Sequence, residues 1–457
     1  MKHVITSCNL LFAAFAFAQN VGIGTTTPVS KLSVGANSQF QVDSVGNIKK
    51  LNNIPYSFPT LQGTYGQVLT NNGGGGLFWS PTSITSWGLT GNSGTNATTN
   101  FIGTIDSVPF GIKVNNARAG LIDLNYQSTF IGLRAGNFTT TGYMNTATGY
   151  KALYSNISGN QNTANGAYAL FSYTTGINNT ATGYNALGSL GSGNTNTAIG
   201  VYALYLSNYA DNNTATGYSA LFSNTNGSDN TANGYQALAS NTTGVYNTAV
   251  GESALSSNTV GYNNTALGYG TNVTSNSLSN ATIIGYNASG TSSNQMRFGN
   301  SSITSIGGQV GWTTLSDARV KKNIQSNVPG LAFILKLNPV TYNIDVTTLD
   351  KLLRPDGFKN TPTQEELDAK TAKSKIIYSG FIAQEVEATA KNVGYDFSGV
   401  DAPKNDKDLY GIRYAEFVVP LVKAMQEMND KVSLLEQKVA QLEQQNKNLQ
   451  SKLDLIK

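Results

Sequence analysis

Histidine and cysteine are all but absent from this 457-residue chain: each occurs once, as His3 and Cys8. Both lie in a segment that reads as removable. Met1, Lys2 and His3 form a short basic start, residues 10–17 are an apolar run, and Ala16-Phe17-Ala18 is an A-x-A cleavage pattern before Gln19. These are the marks of a secretory signal peptide over residues 1–18. The apolar run is shorter than the ~20 residues a membrane span requires, which argues against an anchor. Once residues 1–18 are removed, the sequence carries no disulfide, no Cys/His metal site, no Ser-His-Asp triad and no imidazole base. Any chemistry falls to Ser, Thr, Lys, Asp, Glu, Tyr or the backbone, and neither a metal nor another cofactor is expected. Charge is scarce as well. Charged residues make up 12% of the chain, about half the usual ~25%. The net charge of +4 is small for this length and leaves no footprint for nucleic acid.

What is present is glycine, aromatic residues and a strict period. The 23 Tyr and 18 Phe are too many for a disordered linker. Of the 54 charged side chains, 39 lie in residues 316–457, whereas 135–296 hold only Lys151, Asp211, Asp229 and Glu252. Two kinds of structure are therefore specified. In the uncharged part the motif Asn-Thr-Ala-x-Gly starts at Asn145, Asn162, Asn179, Asn196, Asn213, Asn230, Asn247 and Asn264, always 17 residues apart. Decayed copies flank it in phase, around Phe130 and Ile283, and an Ala-Leu pair recurs from Ala152-Leu153 to Ala254-Leu255. Eight copies without an insertion specify a solenoid-like array over 128–300. Seventeen residues are too few for two helices and a turn, and the recurring Gly and Asn are poor helix formers. Two short strands with two tight turns fit, with Gly149 and Gly159 at the turns. Stacked coils place Asn, Thr, Ala, Leu and Tyr in ladders, giving a parallel β-roll or β-solenoid. Two Ala, one Leu and often one Tyr per unit make a thin core at roughly 25 cal/mol per Å², so association of several chains is expected. The repeats resemble, in pattern, the β-roll heads of trimeric surface adhesins, whose units are usually shorter.

The flanks read differently. Residues 19–127 alternate short apolar runs with Gly, Asn and Pro, as in Phe40-Gln41-Val42, Gln67-Val68-Leu69 and Leu77-Phe78-Trp79. They read as a β-rich stalk or base. The run Asn71 to Gly76 lacks the Lys-Ser/Thr of a phosphate loop and reads as a turn or joint. At the other end, Val432, Val439, Asn446 and Leu453 occupy a positions, and Leu435, Leu442, Leu449 and Ile456 d positions, of a coiled coil over 428–457. Asn446 is a register-fixing polar a residue. Lys431 and Lys438 fall at g, Glu436 and Glu443 at e.

Between a linker at 301–314 and the coiled coil lies a mixed segment, 315–427. It opens Leu315-Ser316-Asp317-Ala318-Arg319-Val320-Lys321-Lys322, continues Tyr378-Ser379-Gly380-Phe381-Ile382-Ala383-Gln384-Glu385-Val386, and closes with Tyr414 and Pro420-Leu421-Val422-Lys423-Ala424-Met425. Three motifs in this order ahead of a terminal helix resemble the intramolecular chaperone domain of tailspikes and endosialidases, the peptidase S74 family. The resemblance covers about a quarter of the chain. It implies a domain that trimerises, drives folding of the fibre before it, and then cuts itself off just before the Ser of its S-D-x-R-x-K motif. Carried onto this sequence, the cut bond joins Leu315 and Ser316, Ser316 and Lys321 are catalytic, and Asp317 and Arg319 belong to the motif. The residues alone are compatible with this. A Ser hydroxyl needs a base, no His is left to serve, and a Lys serves when burial lowers its pKa. Lys321 is too far along for one helical face, so a loop or strand must return it to Ser316. Backbone N–H groups or Arg319 are candidates to hold the oxyanion. Asp317 is expected to hold a turn or pair with Lys322. The same residues also fit a helix N-cap and a solvated face. Gln384 and Glu385 are assigned to packing or subunit contact, and residues 401–408 to a charged loop without calcium-loop spacing.

The fold expected is mainly β: a trimeric β-solenoid fibre, then a small α+β chaperone and autoprotease domain, then a coiled coil. The function expected is a secreted or cell-surface homotrimer, self-processed, with a surface glycan as candidate ligand and no transmembrane segment after signal removal. Three alternatives stand beside it. One is a non-cleaving trimerisation cap. Another is a glycan-degrading tailspike, for which the array offers only Asp211, Asp229 and Glu252 at different repeat positions. The third is an ice- or surface-binding solenoid using Thr-x-Thr rows such as Thr146 and Thr148, interrupted by Asn, Ile, Val and Leu.

Overall fold

The structure is a computed structural model that describes residues 21–456, except 24–31, 35–38, 45–47, 53, 66, 82–90, 97, 138, 140, 190 and 354–362. The signal peptide read at 1–18, with His3 and Cys8, lies outside the described residues. The chain divides into two compact units, 1–103 and 104–457.

The first unit is β-rich, as its alternating apolar runs suggested. Val21–Ile23 pairs in parallel with Leu32–Val34, and Phe40–Val42, Ile48–Leu51 and Ile54–Pro55 follow as an antiparallel meander. Gln67–Asn71 and Leu77–Pro81 form a hairpin. The glycine run is its loop, and Asn72 Oδ1 fixes it by accepting the backbone N–H groups of Gly74 and Gly76 at 2.9 Å.

The second unit is dominated by a 13-stranded sheet. It begins with the antiparallel hairpin of Phe110–Val114 and Ala117–Asp123, so the body that carries the array starts well before 128. From Ser128–Ile131 onward the strands are parallel. Thr146–Thr148, Thr163–Asn165, Thr180–Thr182 and their successors to Thr282–Ile284 each lie opposite the equivalent residues 17 positions away. The middle residue of each strand, Ala from Ala147 to Ala266 and then Ile283, is at most 1% exposed, so the flanking residues form outward rows. Met296–Phe298 closes the sheet.

Among the described residues, each repeat coil from Thr146 to Thr248 has one strand rather than two, and the coil of Thr265 adds the short strand Asn272–Val273. The rest of the coil is turns, because several residues per unit have positive φ. Lys151, Tyr168, Asn185, Tyr202, Ser219, Gln236 and Ser253, and Leu153, Leu170, Leu187, Leu204, Leu221, Leu238 and Leu255, all lie at φ between 48° and 59°. A left-handed conformation costs an L-residue about 1–2 kcal/mol. The leucines recover this by burial, being at most 1% exposed, worth about 1.5–3 kcal/mol each, and by bonding to the next coil, as when Leu221 N–H donates to Ala237 O at 2.9 Å. The Gly149 row is constrained by φ and by space. At Gly217, φ is +134° and an added Cβ would run into the backbone of Gly234. Gly159 does not have positive φ; it is limited by contact with Asn156 and the next coil.

The core differs from expectation in one respect. Ala147, Ala152, Leu153 and their equivalents are buried, but the recurring Tyr are not. Tyr150, Tyr168, Tyr184, Tyr202, Tyr218 and Tyr235 form an outer ladder with ring centroids 5.3–6.3 Å apart. Their place inside is taken by asparagine. Asn145, Asn162, Asn179, Asn196, Asn213, Asn230, Asn247 and Asn264 are at most 1% exposed. Each Oδ1 accepts the backbone N–H of the residue one coil on, at 2.9–3.0 Å. Each Nδ2 donates to a carbonyl within its own coil, at 2.7–3.0 Å. A second, shorter Asn ladder runs through Asn224, Asn241 and Asn258. In one coil Tyr173 takes that second position. It is fully buried in the room left by Gly176, Gly191 and Gly193, and its hydroxyl donates to Gly193 O at 2.5 Å.

Beyond the array the fold turns α+β. Antiparallel pairs join Val340–Tyr342 to Tyr378–Gly380 and Val400–Asp401 to Gly411–Ile412. They are accompanied by the helices Leu331–Ile334, Val346–Leu353, Gln364–Ser374 and Ala383–Asn392. A 37-residue helix, Val418–Asp454, ends the structure. Among the described residues no helix is long and apolar enough to cross a membrane.

Candidate functional site

The second motif builds the α+β core. Phe381 stacks on Phe417 with centroids 5.3 Å apart, Ala383 and Val386 are buried, and Phe333, Ala390 and Phe397 complete the cluster. Gly380 has no side chain because the Tyr414 hydroxyl occupies that space; the same hydroxyl accepts the Phe381 N–H at 3.2 Å. Pro420 and Ala424 seat the start of the long helix, and Glu427 Oε2 accepts the Leu331 N–H at 2.8 Å. The long helix thus begins about ten residues before the heptads and is rooted in the domain. Farther along it turns its apolar stripe outward: Val432, Leu435, Val439, Leu442, Leu449, Leu453 and Ile456 are 46–82% exposed.

The first motif lies on the span between array and core. Residues 303–327 are exposed except for the half-buried Asp317. Asp317 is the N-cap of a single 3-10 turn, Ala318–Val320, and accepts the Arg319 N–H at 2.8 Å. Its carboxylate also receives the Arg319 guanidinium, with Nη2 at 2.6 Å from Oδ2. That pairing holds the Asp317 carboxyl below its ordinary pKa and the Arg319 guanidinium above its own. Asp317 therefore holds a turn, as expected, and its ion partner is Arg319 rather than Lys322. The turn folds the chain back so that Lys321 Nζ donates to Ser316 Oγ at 2.7 Å. The five-residue gap is closed by this turn, not by a strand. Leu315, on the other side of the candidate bond, is 79% exposed. Of the five motif residues, the structure brings Ser316 to Lys321 and Asp317 to Arg319; Arg319 spends its donors on Asp317 in this arrangement.

The array's carboxylates sit in hydrogen-bonded ladders. Asp211 Oδ1 accepts the Asn194 N–H at 2.6 Å, and Asp229 Oδ1 accepts Asn212 Nδ2 at 3.1 Å. Glu252 is exposed in the tyrosine row. Among the described residues no cluster of three or more His, Cys, Asp or Glu could hold a metal ion. Sequence reasoning passed over one set of residues. Asn405, Lys407 and Asp408, in the charged loop, bond to the last coils of the array. Their partners are 114–133 residues away, and no local pattern marks such a pairing.

Comparison with known families places this region. Residues 316–395 match the Peptidase S74 family, the chaperone of endosialidase. The matched stretch begins at Ser316 itself and runs through the Phe381 motif to Tyr395. The C-terminal region is thus a chaperone-of-endosialidase domain mounted behind a β-solenoid. Comparison with curated proteins and with solved structures found no match.

Proposed function

We propose that this chain is a secreted or surface-displayed homotrimeric fibre whose C-terminal domain assembles the trimer as an intramolecular chaperone and then cuts the bond between Leu315 and Ser316 once. The observation that carries the reading is the 2.7 Å contact between Lys321 Nζ and Ser316 Oγ on an exposed span beside that bond. With its amine free, Lys321 accepts the Ser316 hydroxyl proton. Oγ attacks the Leu315 carbonyl carbon, the C–N bond breaks, and the proton passes to the departing Ser316 nitrogen, leaving an ester. Water hydrolyses the ester to a Leu315 carboxylate and a free Ser316 amine and hydroxyl. Nucleophile and target are chain neighbours, so orientation supplies much of the rate. Only the neutral amine acts as the base, and desolvation favours that form over the ammonium. Packing of three exposed sites in a trimer supplies that burial and ties the cut to assembly. The outward apolar stripe of the long helix supports the trimer, since such a stripe requires partner helices.

Intact mass and N-terminal sequencing of purified wild type, Ser316→Ala and Lys321→Met test this. Two fragments are expected from wild type, one beginning at Ser316, and one uncut chain from each variant. An uncut wild type that is still trimeric would reduce the domain to a trimerisation cap.

A glycan ligand is supported by a second observation. Tyr202, Tyr205, Tyr218 and Phe222, with Ser219 and Gln236, line a groove of about 610 Å³ on the array. Uncharged aromatic faces beside hydroxyls and an amide suit neutral sugar rings.

A further inference from the structure

The candidate bond lies where its loss breaks nothing. Residues 303–327 are almost all exposed, so the cut separates two bodies that meet elsewhere. They meet through buried polar groups. Thr291, in the last coil, donates its hydroxyl to Asp408 Oδ1 at 2.6 Å, and its carbonyl accepts Asn405 Nδ2 at 2.9 Å. Arg297 stands 4.0 Å from the same Asp408, whose side chain is 5% exposed. Lys407 Nζ donates to Thr274 O at 2.7 Å, Lys373 Nζ to Ile303 O at 2.6 Å, and the Ser301 hydroxyl bonds to Asp350. Thr291, Ser301 and Lys373 are themselves 0–8% exposed. Every acceptor or donor on the array side lies at or before Ile303, and every partner on the domain side at or after Asp350.

We propose that the C-terminal fragment stays clamped on the end of the array after the cut, its occupant face being this Asp408, Lys407 and Lys373 surface. This rests on the self-cleavage reading. Charge-assisted bonds from buried groups are the stronger kind. In a trimer three such contacts act together, so one that opens is returned by the other two. A solenoid also needs a polar cap on its terminal coil, and the clamp keeps one there.

The experiment is size-exclusion chromatography of the purified, cut, full-length protein at moderate salt, with both fragments identified by mass. Co-elution of the two fragments in equal amounts is expected. Asp408→Asn and Lys373→Gln, each cut normally, should release the C-terminal fragment as a separate peak while both fragments keep their circular dichroism. Separation of the wild-type fragments, or co-elution undiminished in both variants, would overturn the clamp. If wild type is not cut, the self-cleavage reading fails on its own. The clamp is then read in a Ser316→Ala chain with a foreign protease site replacing exposed residues 307–311, where severed pieces that part would overturn it and pieces that stay together would support it.

Discussion

Asn213 uses both ends of its amide. Its oxygen accepts the Asn230 N–H at 3.0 Å and its nitrogen reaches Gly227 O at 2.9 Å, with the side chain fully buried. A hydroxyl is too short for both tasks, and a carboxylate has no donor for the carbonyl. Asn213→Ala leaves the buried Asn230 N–H unpaired, and Gly227 O keeps only its bond from Asn224 Nδ2; it should cost about 1–3 kcal/mol. Asn213→Asp should cost more, since it adds a buried charge beside that carbonyl. Gly217→Ala forces a Cβ into the next coil at a positive φ and should cost about 3 kcal/mol. Denaturation midpoints of the array followed by circular dichroism check all three. Equal stability of Asn213→Ala and wild type would mean water fills the ladder.

A coil bonds to both neighbours in the same way. In the coil that starts at Asn213, Leu221 N–H donates forward to Ala237 O, and Ser219 N–H backward to Val201 O, both at 2.9 Å. These bonds join each coil to its adjacent coils, so stability is close to a sum over neighbours. Removal of residues 230–246, one full unit, should therefore leave a folded array with a small shift in midpoint, whereas removal of half a unit should unfold the coils around it. Loss of folding in the first variant would refute the nearest-neighbour picture. The period that makes this prediction was plain in the sequence, as were the ladders. Which ladder faces inward was not. That depends on left-handed residues such as Leu221 and Gln236, and nothing in a bare Ala-Leu pair announces φ near 50°. Asn rather than Tyr takes the inward place because its amide can bond along the stack, while a ring fits inside only where glycines make room, as around Tyr173. The Ser316 and Lys321 pair was legible from motif spacing; the turn that joins them, with Asp317 as its cap, is local chemistry that the motif also encodes.

For the whole molecule, the proposed trimer is supported by one element above all. The long helix is rooted by Pro420, Ala424 and Glu427, and its stripe from Val432 to Ile456 finds no cover in its own chain among the described residues. A chain ending at Glu427 should sediment as a monomer where the full chain sediments as a trimer; a full chain of two subunits would contradict the threefold reading. Assembly of identical, repetitive arrays carries a hazard of its own. Coils that are interchangeable can skip one unit, or pair with the wrong unit of a neighbouring chain, at little cost. Tyr173 breaks that interchangeability. Its ring lies against Gly191 and Gly193 of the following coil, so a skipped unit would set the ring against Asn208 and Ala210 instead. One odd residue in a monotonous sequence thus works as an index mark, telling the folding chain which rung it is on.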